Sequence, residues 1–286
     1  MIVCIVGPTG VGKTKMSVEL AKKYKGVIIN CDATQVYQEL NIGSAKVTED
    51  EKEGIPHFLI DFVNPNDFYT VYNYQKDLRE LLEKFKNRFI IIVGGTGLYL
   101  KAGLYNYEFQ EEKKKETFVE LTNEELYALA LKKDKNYPIH PHNRKRLIRF
   151  LNREKENKKE ELKLLYNALF IGLTTEREHL YSIINQRVDK MMQEGLVEEV
   201  KTLYKKYPES KIIHSAIGYK EFLPFLKNEE TLENVIERIK QNSRHYAKRQ
   251  YTWFNNQMDI KWFEVNYNYF EETITNVLNY INENMK

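Results

Sequence analysis

The chain of 286 residues contains only two cysteines, Cys4 and Cys31. Each stands inside an apolar run that reads as a buried strand, which argues against a disulfide framework or a cysteine-ligated zinc and fits a reducing compartment. Long hydrophobic runs are also missing. The stretch Phe89–Val93 falls far short of the ~20 apolar residues that span a bilayer, and no basic segment with an apolar h-region stands at the start. A soluble cytoplasmic protein is expected. Charge of one sign is scarce in bulk as well: 44 Lys and Arg face 41 Asp and Glu, a net charge of +3, so a polyanion would have to be met by local patches. Pro-, Gly- or Ser-rich linkers and internal repeats are absent. What is present is core material, 42% hydrophobic and 13% aromatic residues, which excludes global disorder.

Short β-branched runs alternate with helical periodicity. Met1–Val6, Val27–Cys31, Phe58–Val63, Phe89–Val93, Ala168–Leu173 and Ile260–Val265 read as strands. Helical spacing covers Lys13–Tyr24, Val71–Phe85, Glu176–Gln193, Val197–Lys206 and Leu232–Asn255. This pattern predicts an α/β fold, a doubly wound parallel sheet with additional C-terminal helices. Composition shifts at Gln110, where Glu111–Glu116 is almost all charge, and a Lys-, Glu-, Asn- and Leu-rich stretch continues to Asn167. Residues 110–167 are therefore expected to form an inserted helical subdomain in a core made of 1–109 and 168–286.

Gly7-Pro8-Thr9-Gly10-Val11-Gly12-Lys13-Thr14 satisfies G-x-x-x-x-G-K-[ST] between a strand and a helix, the context a phosphate-binding P-loop needs. Glycines let successive backbone N–H groups point into an anion nest, and the helix N-terminus adds positive charge. Lys13 supplies an ammonium and Thr14 a hydroxyl for Mg²⁺. A P-loop kinase adds a magnesium-holding carboxylate after a later strand. Here Phe89–Val93 runs instead into Gly94-Gly95-Thr96-Gly97. The nearest strand-end carboxylate is Asp32, after Val27–Cys31, on a strand expected beside the loop. Such a carboxylate serves as magnesium ligand, general base or cap of the next turn, and the sequence leaves the three open.

Positive charge is concentrated locally. Ile139–Lys163 holds nine Lys or Arg against four Glu, and Ile236–Gln250 five against one. Tyr246, Tyr251, Trp253 and Phe254 lie near the second patch, and cations with stacking surface suit splayed single-stranded RNA. The six histidines show no two-histidine helical spacing that would hold zinc.

The blocks GPTGVGKT (7–14), INCDATQVYQELNIGSAK (29–46), PHFLID (56–61), VGGTGLYLKA (93–102), IHPHNRKRLIR (139–149), INQRVDKMMQEGLVEEV (184–200), IGYKE (217–221) and SRHYAKRQYTWF (243–254) together resemble the tRNA dimethylallyltransferases (isopentenyltransferases) of bacterial type. The resemblance implies a P-loop core that transfers the dimethylallyl group of dimethylallyl diphosphate to the exocyclic amine of the adenosine 3′ of the anticodon, releasing pyrophosphate with Mg²⁺ present. It implies that the loop, 7–14, grips pyrophosphate and that Arg244 adds a second cation. Asp32 would accept the proton of the attacking amine, and Thr96 would help position that amine and the diphosphate. Lys13 and Thr14 keep their roles as cation and metal ligand. The anticodon stem-loop would be contacted by Asp32, Thr34, Gln35, Lys145, Arg146, Arg149, Gly218, Tyr219, Lys220, Lys248, Arg249, Gln250 and Trp253. A monomer is expected.

The sequence departs from the family pattern at Ala33 and Thr34, where serine and methionine are common, and at Asn143, where aspartate is usual. No cysteine–histidine zinc finger follows the core. Three other readings stay open: an adenylate dimethylallyltransferase acting on free nucleotide, a P-loop small-molecule kinase, and a P-loop RNA-binding module without catalysis.

Overall fold

The computed structural model describes residues 1–109, 117–135, 140–152 and 161–285. Strands β1 (Ile2–Val6), β2 (Val27–Asn30), β3 (His57–Phe58), β4 (Ile90–Val93), β5 (Ala168–Thr174) and β6 (Lys261–Glu264) form one sheet in the order β3-β2-β4-β1-β5-β6, with every pair parallel. The helices are α1 (Lys13–Tyr24), α2 (Glu49–Lys52), α3 (Val71–Lys84), α4 (Gly97–Leu104), α5 (Asn123–Lys133), α6 (Arg144–Leu151), α7 (Arg177–Gln193), α8 (Leu196–Lys206), α9 (Leu223–Leu226), α10 (Leu232–Gln257) and α11 (Phe270–Asn284). None of the described helices is long and apolar enough to cross a membrane.

The central strands β1 and β4 are apolar at every position because both sheet faces are covered. Side chains alternate along a strand, so Val3 and Ile5 join Met16 and Leu20 of α1, Ile184 of α7 and Val277 of α11 on one face. Ile2, Cys4 and Val6 join Tyr74 and Leu78 of α3, Leu100 of α4 and Phe254 of α10 on the other. Both cysteines are free thiols buried on this second face. A further core joins Val36 and Leu40 to Val188 of α7, Val200 of α8 and Ile239 of α10.

Chain order places β4 on one side of β1 and β5 on the other. The carboxyl ends of these strands therefore frame the crevice in which such sheets bind ligands. The sheet differs from the sequence expectation at two strands. The strand carrying Asp32 is not next to β1, because β4 lies between them; Cys31 N–H donates to Val93 O at 2.7 Å and Gly94 N–H to Ile5 O at 3.2 Å, which draws the three strand ends together. The strand expected over Phe58–Val63 stops at Phe58, because Leu59 (φ 56°) and Asp61 (φ 57°) adopt left-handed backbone that cannot continue a pleat.

The chain divides into two compact units, Met1–Tyr107 with Leu164–Lys286, and Glu108–Lys163. Leu164–Asn167, assigned to the insert from composition, fall in the first unit, where Leu165 N–H donates to Leu104 O at 2.9 Å. The second unit packs Leu126 and Ala130 of α5 against Leu147 of α6. Thr122 and Glu125 form a reciprocal cap on α5, and Asn143 caps α6 by accepting from Arg146 N–H. Asparagine caps as well as aspartate, so the departure at Asn143 preserves the helix start. The charged run 111–116 and parts of the basic segment 139–163 lie outside the described residues.

Candidate functional site

The phosphate loop leaves β1 through Gly7, whose φ is 136° and whose added Cβ would overlap Leu173 O on β5; only glycine makes this exit. Gly12 then caps α1 in left-handed conformation, and Lys13 opens the helix. The loop forms part of a cleft of about 830 Å³, which also takes in Asp32, Gln35, Arg187, Tyr246 and Gln250. That size suits a small phosphorylated ligand.

Three cationic and amide groups converge on the loop. Lys13 is half-buried with its ammonium folded back on Pro8 O at 2.6 Å. Burial and the Arg187 guanidinium lower its pKa to about 7, against the opposing pull of Asp32. Arg187 of α7 hydrogen-bonds the Thr9 hydroxyl. Burial lowers the pKa of this arginine too, with Asp32, Glu51 and Glu194 acting in the other direction. Gln250 of α10 uses both ends of its buried amide: Oε1 accepts from Thr9 N–H at 3.3 Å and Nε2 donates to Gly95 O at 3.0 Å.

Across the cleft, Asp32 caps its own turn. Its Oδ1 accepts from Thr34 N–H at 2.8 Å and Gln35 N–H at 3.2 Å. Among the described residues no hydrogen bond is made by Oδ2, so one carboxylate oxygen is fixed and the other is left for a ligand. Thr96 Oγ1 accepts from Ala33 N–H at 3.0 Å and Thr96 N–H donates to Cys31 O at 3.1 Å. The GGTG turn and the Asp32 turn are thus tied together by two hydrogen bonds. No carboxylate stands on the GGTG turn after β4.

The cleft wall contributed by the 41–46 turn is held by Glu199 of α8. Its carboxylate accepts from the N–H groups of Asn41, Ile42 and Gly43 and from the Tyr219 hydroxyl, at 2.8–3.1 Å. An anion nest is thus filled from inside the protein. Gln35 Nε2 reaches the same wall, donating to Ser44 O and Ala45 O.

A family model described as IPP transferase matches residues 35–257. The chain belongs to the IPP transferase family. It is 42% identical to the tRNA dimethylallyltransferase of Anoxybacillus flavithermus over 98% of this chain and 96% of that protein. The crystal structure of a tRNA isopentenylpyrophosphate transferase from Staphylococcus epidermidis has a TM-score of 0.76 at 38% identity, covering 99% of both chains. A eukaryotic dimethylallyltransferase acting on tRNA has a TM-score of 0.74 at 30% identity, covering 92% of this chain and 73% of that one.

In this IPP transferase the cleft brings together Thr9, Gly10, Gly12, Lys13, Thr14, Asp32, Thr34, Gln35, Gly218, Lys220, Arg249 and Gln250 of the residues expected from sequence. Pro8 and Val11 are buried beneath the loop. Arg244 donates to Asn185 Oδ1 at 2.6 Å and is not among the residues lining the cleft, whereas Arg187 lines it beside Lys13. Tyr219 is fully buried against Glu199. Trp253 packs where an added Cβ on Gly97 would overlap its indole. Lys248 is exposed, and so are Lys145, Arg146 and Arg149 on α6 of the second unit. Sequence reasoning missed Arg187. It was detectable: with Ile184, Val188 and Met191 it completes a 3–4 spaced stripe on α7, and a cation on a buried stripe is unusual.

Proposed function

We propose that the protein transfers the dimethylallyl group of dimethylallyl diphosphate to the exocyclic amine of the adenosine 3′ of the anticodon in tRNA. The observation that carries this reading is a carboxylate, Asp32, facing a phosphate loop across one cleft that also holds Lys13 and Arg187. The relatives' names agree with it.

In the reaction a bond forms between the adenine nitrogen and C1 of the dimethylallyl group while the bond from C1 to the diphosphate oxygen breaks. An exocyclic adenine amine is a weak nucleophile, and Asp32 Oδ2 accepts the proton it loses. The loop amides, Lys13 and Arg187 receive the charge that develops on pyrophosphate. Arg187 takes the second-cation role that the resemblance assigned to Arg244. Mg²⁺ fits as a companion of the diphosphate. Thr14 offers an exposed hydroxyl on the first turn of α1, and among the described residues no group of three or more His, Cys, Asp or Glu could hold a metal. When bound, Mg²⁺ neutralises diphosphate oxygens and keeps much of its water.

The acceptor base must leave its stack to reach Asp32, and the exposed cations Lys145, Arg146, Arg149, Lys220, Lys248 and Arg249 would grip the anticodon arm. Gln250, Tyr219 and Trp253 support the site from within. The protein works in the cytoplasm with its tRNA, as a monomer.

The test is incubation with dimethylallyl diphosphate, Mg²⁺ and either unmodified tRNA or AMP, followed by mass analysis of nucleosides. A gain of one dimethylallyl group on the adenosine 3′ of the anticodon, with AMP unchanged, is the expected result. A gain on AMP alone would make the protein a nucleotide prenyltransferase.

A further inference from the structure

Glu221 lies in the short 3-10 turn Lys220–Phe222 and is only 3% exposed. A carboxylate so buried needs hydrogen-bond partners, and this one has two. Its Oε2 accepts from Gly218 N–H at 2.9 Å, and its Oε1 accepts from Asn242 Nδ2 of α10 at 2.7 Å. The Lys220 ammonium stands 3.9 Å from Oε1. Neither hydrogen bond belongs to the phosphate loop or to the Asp32 turn.

Gly218 lines the cleft, in a wall to which Ser215, Ala216, Ile217 and Lys220 also contribute. Its φ is 91°, and an added Cβ would come within 3.1 Å of Gly43 O. Gly43 belongs to the 41–46 wall, which Glu199 holds. The two walls thus meet at a glycine pair, and Glu221 ties the meeting point to α10. Farther along α10, about 12 Å from Asn242 at 1.5 Å per residue, Gln250 accepts from Thr9 N–H of the phosphate loop. One helix therefore sets the spacing between this wall and the loop: Asn242 grips the first through Glu221, and Gln250 grips the second.

We propose that Glu221 is a positioning residue for the RNA acceptor, its buried carboxylate fixing the Gly218 wall to α10 and so to a set distance from the phosphate loop. This rests on the function proposed above. Glu221 touches no substrate in this role and acts through Gly218. The phosphate loop is held by separate bonds, from Arg187 and Gln250. Loosening the wall therefore weakens RNA binding and spares the diphosphate.

The experiment is a double-mutant cycle on the full chain with dimethylallyl diphosphate and an anticodon stem-loop RNA. It compares wild type, Glu221→Gln, Asn242→Asp and Glu221→Gln/Asn242→Asp. Asn242→Asp removes the donor and sets a second carboxylate against the first. In the double variant the glutamine oxygen accepts from Gly218 N–H while its amide donates to the aspartate, so the link is rebuilt with its polarity reversed. Asn242→Asp is expected to raise KM for RNA about tenfold, the scale of one hydrogen bond to a charged group, with KM for dimethylallyl diphosphate within about twofold of wild type. Glu221→Gln alone keeps the link by turning the Asn242 amide and is expected to stay within about threefold. The double variant is expected to recover to within about threefold as well, since paired residues are non-additive. Asn242→Leu, which removes the donor without adding charge, is expected to raise KM for RNA in the same way and serves if aspartate there prevents folding. Wild-type KM for RNA in Asn242→Asp and Asn242→Leu, an equal rise in both KM values, or no recovery in the double variant would overturn the proposal. A wild-type protein that leaves the RNA unmodified would instead overturn the function on which it rests.

Discussion

Arg187 on α7 hydrogen-bonds the Thr9 hydroxyl, 178 residues away in sequence. This contact sets a second cation beside Lys13 at the edge of the phosphate loop, where a leaving pyrophosphate concentrates its charge.

Arg187→Gln is therefore expected to slow single-turnover transfer about 100-fold, as removal of a preorganised charge donor does. Arg244→Gln, which loses its bond to Asn185, is expected to stay within about fivefold of wild type, the scale of one lost hydrogen bond. Single-turnover rates for the two variants decide the matter, and the reverse order would return the role to Arg244.

Lys13 gives a pH-dependent prediction. Its pKa is about 7 in the folded protein against an ordinary 10.5. The folded chain thus binds this proton less tightly than the unfolded chain. The cost to stability is full below pH 7 and disappears as pH rises toward 10.5. Lys13→Met keeps the aliphatic stem and removes the charge. Its melting midpoint should lie above wild type at pH 6 by about 2–4 °C for each kcal/mol recovered, with the difference shrinking above pH 7. Pyrophosphate should raise the midpoint of wild type by more than that of Lys13→Met, which keeps the loop amides and Arg187 but lacks the ammonium. A less stable variant at pH 6 would contradict the burial argument.

The sheet was legible because buried parallel strands read as unbroken β-branched runs; β1, β2, β4 and β5 fall where Met1–Val6, Val27–Cys31, Phe89–Val93 and Ala168–Leu173 are apolar. The helix α4 was not legible: its sequence GLYLKAGL carries glycines at both Gly97 and Gly103, which lower helix propensity, and the close packing that these glycines allow, Trp253 on Gly97 and Leu78 on Gly103, is visible only in the tertiary structure. Helix α11 was overlooked although Phe270, Val277 and Ile281 are buried at helical spacing. The site was half visible. A phosphate loop is a local pattern, so Gly7–Thr14 announce themselves, whereas Gln250 and Tyr219 looked like RNA contacts until tertiary packing buried them.

Gln250→Leu leaves Thr9 N–H and Gly95 O without their side-chain partner in a buried setting. A loss of about 1–3 kcal/mol in urea unfolding is expected, with transfer slowed as the loop loses its tether. An unchanged unfolding midpoint would mean that water replaces the amide.

Glu199 accepts from the backbone of Asn41, Ile42 and Gly43 together with Tyr219. Glu199→Ala opens this nest and is expected to destabilise the protein by about 2–4 kcal/mol, several charge-assisted bonds being lost at once. Faster amide hydrogen exchange confined to residues 41–46 would locate the effect. Exchange there at the wild-type rate would show that the turn is held by other means.

The central claim is that this phosphate loop holds a leaving pyrophosphate and not a transferring phosphate. Its most direct test is the stoichiometry of products when the protein is given dimethylallyl diphosphate, ATP, Mg²⁺ and unmodified tRNA together. One pyrophosphate released for each prenylated adenosine, with ATP intact, is the predicted outcome. Phosphate passing from ATP to an acceptor, with the tRNA unmodified, would contradict it.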